Sequence, residues 1–309
     1  MIFNISGRTD IVAFYSDWLF QRIKEGYVYV RNPYYPTQIT KYLINEDVVD
    51  CFIFCTKNPR PILSRLDKLK PYPSFFYVTI TPYGRDIEPY VPDYQNVISD
   101  IQKLSSQLGK QAIGIRYDPI FINQEYTIEK HLYYFEDILS QLQGYVHHCV
   151  ISFIDLYQKT KRNFPGIQEV PLFWQQQLVK AFVQIAKKYQ FQIQMCAEPY
   201  DFSEYGVLSQ SCLNARILKD ITGYDFISVS SQPLRQHCHC YPSRDIGEYN
   251  TCPHGCLYCY ANENKQKVME NYQLHDPLSP LLIGHVHEDD IIKQAKQKSY
   301  KNRQLSLDI

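Results

Sequence analysis

The sequence predicts an α/β fold, a parallel sheet with helices outside it, organised as a (β/α) barrel or partial barrel. Three observations carry the prediction. Short, apolar, β-rich runs recur along the chain. Stretches with helical spacing of apolar residues lie between them, and strand followed by helix, repeated six or seven times, is the pattern of a parallel sheet. The repeat is about 35 residues long, which suits one strand–helix unit of such a barrel.

The β-rich runs fall at residues 2–6, 48–55, 75–80, 112–115, 149–154, 192–196 and 226–229. Between them, Ile11, Phe14, Tyr15, Trp18 and Leu19 form a first helical stripe. Ile98, Ile101, Leu104 and Leu108 form a second, and Ile128, Leu132, Phe135, Leu139 and Leu142 a third. Leu178, Phe182, Ile185 and Ala186 form a fourth. A period near 3.6 marks one buried face per helix.

Polar residues gather where these strands end. The first run leads into Ser6, Gly7, Arg8, Thr9 and Asp10, and the second into Thr56, Lys57 and Asn58. The third ends in Thr79 and Thr81, the fourth in Arg116 and Asp118, the fifth at Asp155 and the sixth at Glu198. The seventh ends in Ser228, Ser230, Ser231 and Gln232. In barrels of this class the active site lies at the C-terminal strand ends. Turn chemistry alone accounts for the prolines, Asn58 and several threonines. It does not account for charges abutting buried strands, which are costly without partners. Arg8, Asp10, Lys57, Arg116, Asp118 and Glu198 are therefore the candidate catalytic and substrate-pocket residues.

Composition narrows the class. The chain has 309 residues with 32 basic and 32 acidic side chains, and a net charge of zero argues against holding nucleic acid by bulk charge. A local basic groove stays open as a nucleic-acid contact. No apolar run reaches the length of a membrane span. The N-terminus lacks a basic region followed by an apolar core, so a cytoplasmic protein with no membrane partner is expected. Ten cysteines are many for such a chain, and in a reducing compartment they bind metal or fill the core in preference to forming disulfides.

Five of those ten lie between residues 237 and 259. Cys252, Cys256 and Cys259 are spaced C-x3-C-x2-C, beside Pro253 and Gly255. Thiolates suit iron–sulfur clusters and zinc. Three thiolates on a four-iron cube leave one iron without a protein ligand, where a small molecule can bind. Cys238 and Cys240, with His237 and His239, are candidates for a second metal site, for a hydrogen-donating thiol, or for a place near the first cluster. Cys252, Cys256 and Cys259 with Cys238 or Cys240 would also make a four-cysteine zinc knuckle, and a redox-inert structural cluster is a third reading. Cys51, Cys55, Cys149, Cys196 and Cys212 read as core, with Cys51 and Cys55 on one sheet face. Cys212 falls in a helix-like stretch, and Cys196, at a strand end, is the likeliest exception among the five.

The C-x3-C-x2-C spacing resembles the signature of the radical S-adenosylmethionine (SAM) enzymes. The string from Cys252 to Ala261, Cys-Pro-His-Gly-Cys-Leu-Tyr-Cys-Tyr-Ala, resembles the spore photoproduct lyase-like branch. The whole chain resembles an uncharacterised bacterial family that has Gly-Arg-Thr-Asp, Thr-Lys-Asn-Pro and Arg-Tyr-Asp-Pro segments and a C-terminal radical-SAM-like cysteine cluster. Cys55 stands where that resemblance implies a tryptophan. In the superfamily the motif follows the first strand; here it follows the last, so the order looks circularly permuted.

The resemblance implies a [4Fe-4S] cluster on Cys252, Cys256 and Cys259, S-adenosyl-L-methionine at its open iron, and Tyr258 near the adenine. By the same logic Ser6 and Gly7 would touch the cofactor, Arg8 its carboxylate, Thr79 and Thr81 its ribose, and the backbone of Gly114 to Arg116 its adenine. The glutamate expected in a Gly-Gly-Glu-type segment after the neighbouring strand is missing. The implied activity is reductive cleavage of the cofactor to a 5′-deoxyadenosyl radical and hydrogen abstraction from an unknown substrate. A flavodoxin- or ferredoxin-type protein would donate the electron. The competing class is a non-enzymatic zinc- or Fe-S-stabilised protein that binds a ligand or nucleic acid. Residues 1–235 are expected to form the barrel, and 236–309 an iron–sulfur segment with a helical tail packed on it.

Three segments read as surface. The basic stretch 158–163 is expected to be a solvated loop, and the tail from Lys293 to Arg303 an exposed helix face. His285 and His287 alternate and read as structural or surface residues.

Overall fold

The computed structural model describes residues 1–208, 210–230 and 236–302. Seven parallel strands form the main sheet, in the order β8-β7-β6-β5-β4-β1-β9. They are β1 (Ile2–Asn4), β4 (Cys51–Thr56), β5 (Ser74–Thr79), β6 (Ile113–Ile120), β7 (His148–Phe153), β8 (Gln192–Met195) and β9 (Arg244–Asp245). A second sheet holds β2 (Tyr27–Arg31) antiparallel to β3 (Gln38–Leu43), with β10 (Ile291–Gln294) parallel to β3.

The sheet alternates as its residues dictate. Phe3, Phe52, Phe54, Phe76 and Val78 face one way, into the main core. Ile2, Cys51, Ile53, Phe75 and Tyr77 face the other way, into a smaller core. The first face is covered by helices whose stripes match their sequence spacing: α3 (Tyr94–Leu108), α4 (Ile128–Leu142) and α6 (Leu172–Lys188). The stripe at residues 11–19 is split. Tyr15, at φ −130°, separates α1 (Ile11–Phe14) from α2 (Ser16–Glu25), yet Ile11, Tyr15, Trp18 and Leu19 stay buried together. The second face is covered by α7 (Ala215–Thr222) and by segments carrying Cys212, Cys238 and Cys240. The remaining helices are α5 (Gln158–Asn163) and α8 (Lys265–Gln273).

Six of the seven expected strands are present. The seventh is not at residues 226–229. Phe226 makes one isolated bridge to Lys301, and Ser228 and Ser230 are exposed; Ser231 and Gln232 lie outside the described residues. The seventh strand is β9, two residues with no apolar pattern, paired to β1 through Phe3↔Arg244 and Asn4↔Asp245. The fourth strand runs on from Arg116 to Ile120 through an irregularity in its pairing with β7. Cys212 precedes α7 and does not belong to a helix. The tail is not a helix face either: Lys293 lies in β10, and Arg303 lies outside the described residues.

Candidate functional site

The loops after β9 and β1 meet because the strands are neighbours. Asp245 ends β9, and its Oδ1 lies 3.4 Å from Arg8 Nε, while Arg8 Nη2 donates to the Asp245 carbonyl at 3.0 Å. Burial raises the Asp245 carboxyl above its ordinary range, with Arg8 pulling against it. Gly7 sits in this joint. A Cβ there would stand 2.0 Å from Asp245 Oδ2 and 2.7 Å from Asn4 Nδ2, so only glycine fits. The Gly7 carbonyl accepts from the Tyr260 hydroxyl of the cysteine loop. Ser6 Oγ accepts the Ile11 N–H at 3.1 Å, so its hydroxyl helps start α1.

Asp10 ties that corner together. Its Oδ1 accepts the Ala13 N–H at 3.0 Å and caps α1. Its Oδ2 takes Thr56 Oγ1 at 3.0 Å, Lys57 N–H at 2.8 Å and His254 Nε2 at 2.9 Å. A carboxylate with four partners is a buttress, and it fixes the cysteine loop to the end of β4.

Beside it lies a second polar group. Lys57 Nζ is 2.9 Å from Glu88 Oε1, which also accepts from Thr81 Oγ1 at 2.8 Å and from the Tyr258 hydroxyl. The Lys57 ammonium stands 5.6 Å from the Tyr258 ring centre. Burial works against the Lys57 charge, but Glu88 and then the Cys256 sulfur outweigh it, and the ammonium is held above its usual range.

The three cysteines occupy a loop closed at its base. Asn250 N donates to Ala261 O at 3.1 Å, and Asn262 Nδ2 donates to Cys252 O at 2.7 Å. Gly255, at φ +72°, makes the turn between Cys252 and Cys256. Leu257 N donates to Ile87 O at 3.0 Å and Tyr90 N to His254 O at 3.2 Å, so the loop is laced to the segment after β5. All three thiols are partly covered. The His254 backbone opposes the effect of burial at the Cys252 thiol, the backbone of Ala261 and Asn262 does so at Cys259, and the Tyr258 side chain does so at Cys256. Burial pushes all three thiols up, while Lys57 pulls Cys256 and Cys259 down.

These residues suit an iron–sulfur cluster by donor chemistry: three soft sulfurs in one loop that backbone and amide hydrogen bonds close at its base. Among the described residues, no three Cys, His, Asp or Glu side chains are arranged as ligands of one metal ion. Thiolates on different corners of a cube do not need to converge on one point.

Further along the sheet, Arg116 pairs with Asp118 at 2.5 Å through Nη2 and at 2.9 Å through Nε, and stands 5.5 Å from the Tyr77 ring centre. Thr79 ends β5 in register with Arg116. Gly114 sits low in β6, where a Cβ would meet Tyr77 at 2.8 Å and His148 at 3.1 Å. Its open face is filled by aromatic packing, which corrects the expectation that it passes an adenine. Glu198 reaches back to β7, accepting Ser152 Oγ at 3.0 Å and Phe153 N–H at 2.8 Å.

Cys238 and Cys240 are buried on the second sheet face, away from the C-x3-C-x2-C loop's own bonds, while His237 and His239 point to solvent. The stretch 158–163 is not a solvated loop. It is the short helix α5, and it braces the cysteine loop: Thr160 Oγ1 donates to Tyr258 O, and Arg162 Nη2 donates to Glu263 O at 2.6 Å. His285 and His287 are exposed. Sequence reasoning missed Glu88, Asp245 and Tyr260, whose roles arise from contacts distant in the chain. His254 lies inside the quoted motif, and its imidazole could have been read as a tether.

The fold and site define an α/β protein with a seven-stranded parallel sheet and a cysteine loop laced to its C-terminal strand ends. The chain belongs to the family described as Domain of unknown function (DUF1848), whose model matches residues 2–261. No curated protein matches it. Among solved structures it is similar to a putative alpha-L-fucosidase from Bacteroides thetaiotaomicron, at 11% identity and a TM-score of 0.28. That match covers 70% of this chain and spans 61% of the other, and it is too loose to carry an argument. No helix among the described residues is long and apolar enough to cross a membrane.

Proposed function

We propose that this chain is a radical SAM-type iron–sulfur enzyme on a permuted partial (β/α) barrel. The observation that carries the reading is the set of three sulfurs, Cys252, Cys256 and Cys259, partly covered in one closed loop that abuts the charged strand ends. The sheet order supports the permutation: the strand preceding the cysteine loop is an edge neighbour of β1. A cluster bound there supplies one-electron cleavage of S-adenosyl-L-methionine and so a radical that takes hydrogen from substrate.

The chain's own residues bind and orient. Cys252, Cys256 and Cys259 would hold the cluster, and three thiolates would leave one iron without a protein ligand. Glu88 supplies the carboxylate that the segment after β1 lacks, and its Lys57 partner shows it already binds an ammonium. Tyr258 closes one side of that pocket, and Asp10 with His254 keeps the loop in place. Arg116 and Asp118, partly exposed on β6, are the pair offered to substrate. The cytoplasm, a reducing compartment, suits these thiols, and a flavodoxin- or ferredoxin-type donor supplies the electron.

The test is electron paramagnetic resonance of the anaerobically reconstituted, reduced protein. We expect a four-iron signal that changes when S-adenosyl-L-methionine is added. A cluster signal indifferent to the cofactor contradicts an open iron.

A further inference from the structure

Four cysteines outside the C-x3-C-x2-C loop come together behind the sheet. Cys196 follows β8, Cys212 precedes α7, and Cys238 and Cys240 lie on the segment leading to β9. Cys212 Sγ is 3.8 Å from Cys196 Sγ and 3.2 Å from Cys240 Sγ. Cys238 is buried two residues before Cys240, in the same small core. Cys212, Cys238 and Cys240 are buried with Tyr77 and Val150, side chains of the sheet's second face.

We propose that Cys196, Cys212, Cys238 and Cys240 form a second metal site, a four-thiolate centre for a single soft divalent cation of the zinc type. Four sulfurs about 2.3 Å from a tetrahedral centre stand about 3.8 Å from one another. The separation of Cys212 from Cys196 matches that spacing, that from Cys240 is shorter, and both are too short for thiolates on different irons of a cube. Three of the sulfurs run as a chain, Cys196 to Cys212 to Cys240, and Cys238 lies two residues from its end in the same core. They have not closed into one ligand sphere, and an ion entering the chain draws them to itself as each thiol gives its proton to solvent. A disulfide joins two sulfurs, whereas Cys212 meets two others, which a disulfide does not explain.

Charge and fold both favour the ion. Four thiolates on a divalent cation carry net negative charge, and the Arg116 guanidinium lies close enough to act on both Cys196 and Cys212. The ligands come from three stretches of a region whose described regular structure is one three-residue 3₁₀ turn, α7 and β9. Long connections with so little structure of their own are uncommon in compact domains unless something fixes them. A cation here cross-links them onto the sheet, and its binding energy is folding energy. The exposed His237 and His239 take no part, so the donor set is sulfur alone.

The full-length protein is stripped with a chelator, loaded with Co²⁺ alone and read by absorption, then alkylated and mapped by peptide mass. We expect the intense bands of tetrahedral cobalt with four thiolates, and protection of Cys196, Cys212, Cys238 and Cys240 that is lost on stripping. In Cys212→Ser those bands weaken and one ion per chain is lost, while Cys252, Cys256 and Cys259 keep the reactivity they have in the wild type. Equal alkylation of the four with and without metal, or recovery of Cys212 and Cys240 as a disulfide-linked peptide, overturns the proposal. The wild-type mapping decides it even if Cys212→Ser does not fold. It is read at cysteines other than Cys252, Cys256 and Cys259, so its failure leaves the radical-enzyme reading standing.

Discussion

Asp10 shows how a residue expected to face substrate is consumed by structure. A charge set against a buried strand needs a partner, and that expectation holds for Arg8, Lys57, Arg116 and Glu198 as well as Asp10. What the sequence did not disclose was the partners. Asp245 and Glu88 are distant in the chain and lie in no local pattern, so their pairing follows only from the packing of loops over adjacent strands. Replacing Asp10 with Ala removes the acceptor for the partly buried backbone N–H groups of Ala13 and Lys57 and for the buried Thr56 hydroxyl and His254 imidazole. At about 1–3 kcal/mol for each buried donor left unpaired, offset by partial rehydration, the variant is expected to lose about 2–4 kcal/mol. Urea denaturation measures it. A loss under about 0.5 kcal/mol, the range of an ordinary surface substitution, means that water replaces the carboxylate and the buttress is not one.

Among elements, the strands with side chains on two buried faces were legible and the others were not. β4, β5 and β7 are nearly continuous apolar runs because both of their faces are covered, while β6 is apolar at its start and turns polar from Arg116. β2 and β3 bury one residue each, Val28 and Ile39, and so present no apolar run to read. Residues 226–229 have strand-like composition without burial, and β9 pairs with β1 without apolar composition. Composition alone therefore misplaced the seventh strand. The short β9 is held by its joint with Gly7, which makes that joint the element-scale test. In Gly7→Ala the new methyl meets Asp245 Oδ2 and Asn4 Nδ2 far inside contact distance. The clash is expected to cost about 1–3 kcal/mol, to part β9 from β1 and to loosen the cysteine loop that follows. Thermal unfolding together with faster thiol alkylation at Cys252 would register it. An unchanged melting temperature means the joint has room that Asp245 can yield.

At the scale of the whole molecule, the chain order is unusual and the spatial order is regular. The cysteine motif was legible because three thiols at fixed spacing form a chemical signature that needs no tertiary information. The second group was only half legible. Cys238 and Cys240 are near each other in sequence, but Cys196 and Cys212 join them solely through the fold. The central claim is that the loop of Cys252, Cys256 and Cys259, set over the strand ends, makes a reactive cluster. The most direct test is the yield of 5′-deoxyadenosine from S-adenosyl-L-methionine by the anaerobically reconstituted, chemically reduced protein, compared with Cys256→Ala. The account predicts product formation by the wild type and background in the variant, with Cys238→Ala retaining cleavage. No 5′-deoxyadenosine from a wild-type protein that carries its full complement of iron and sulfide would contradict it.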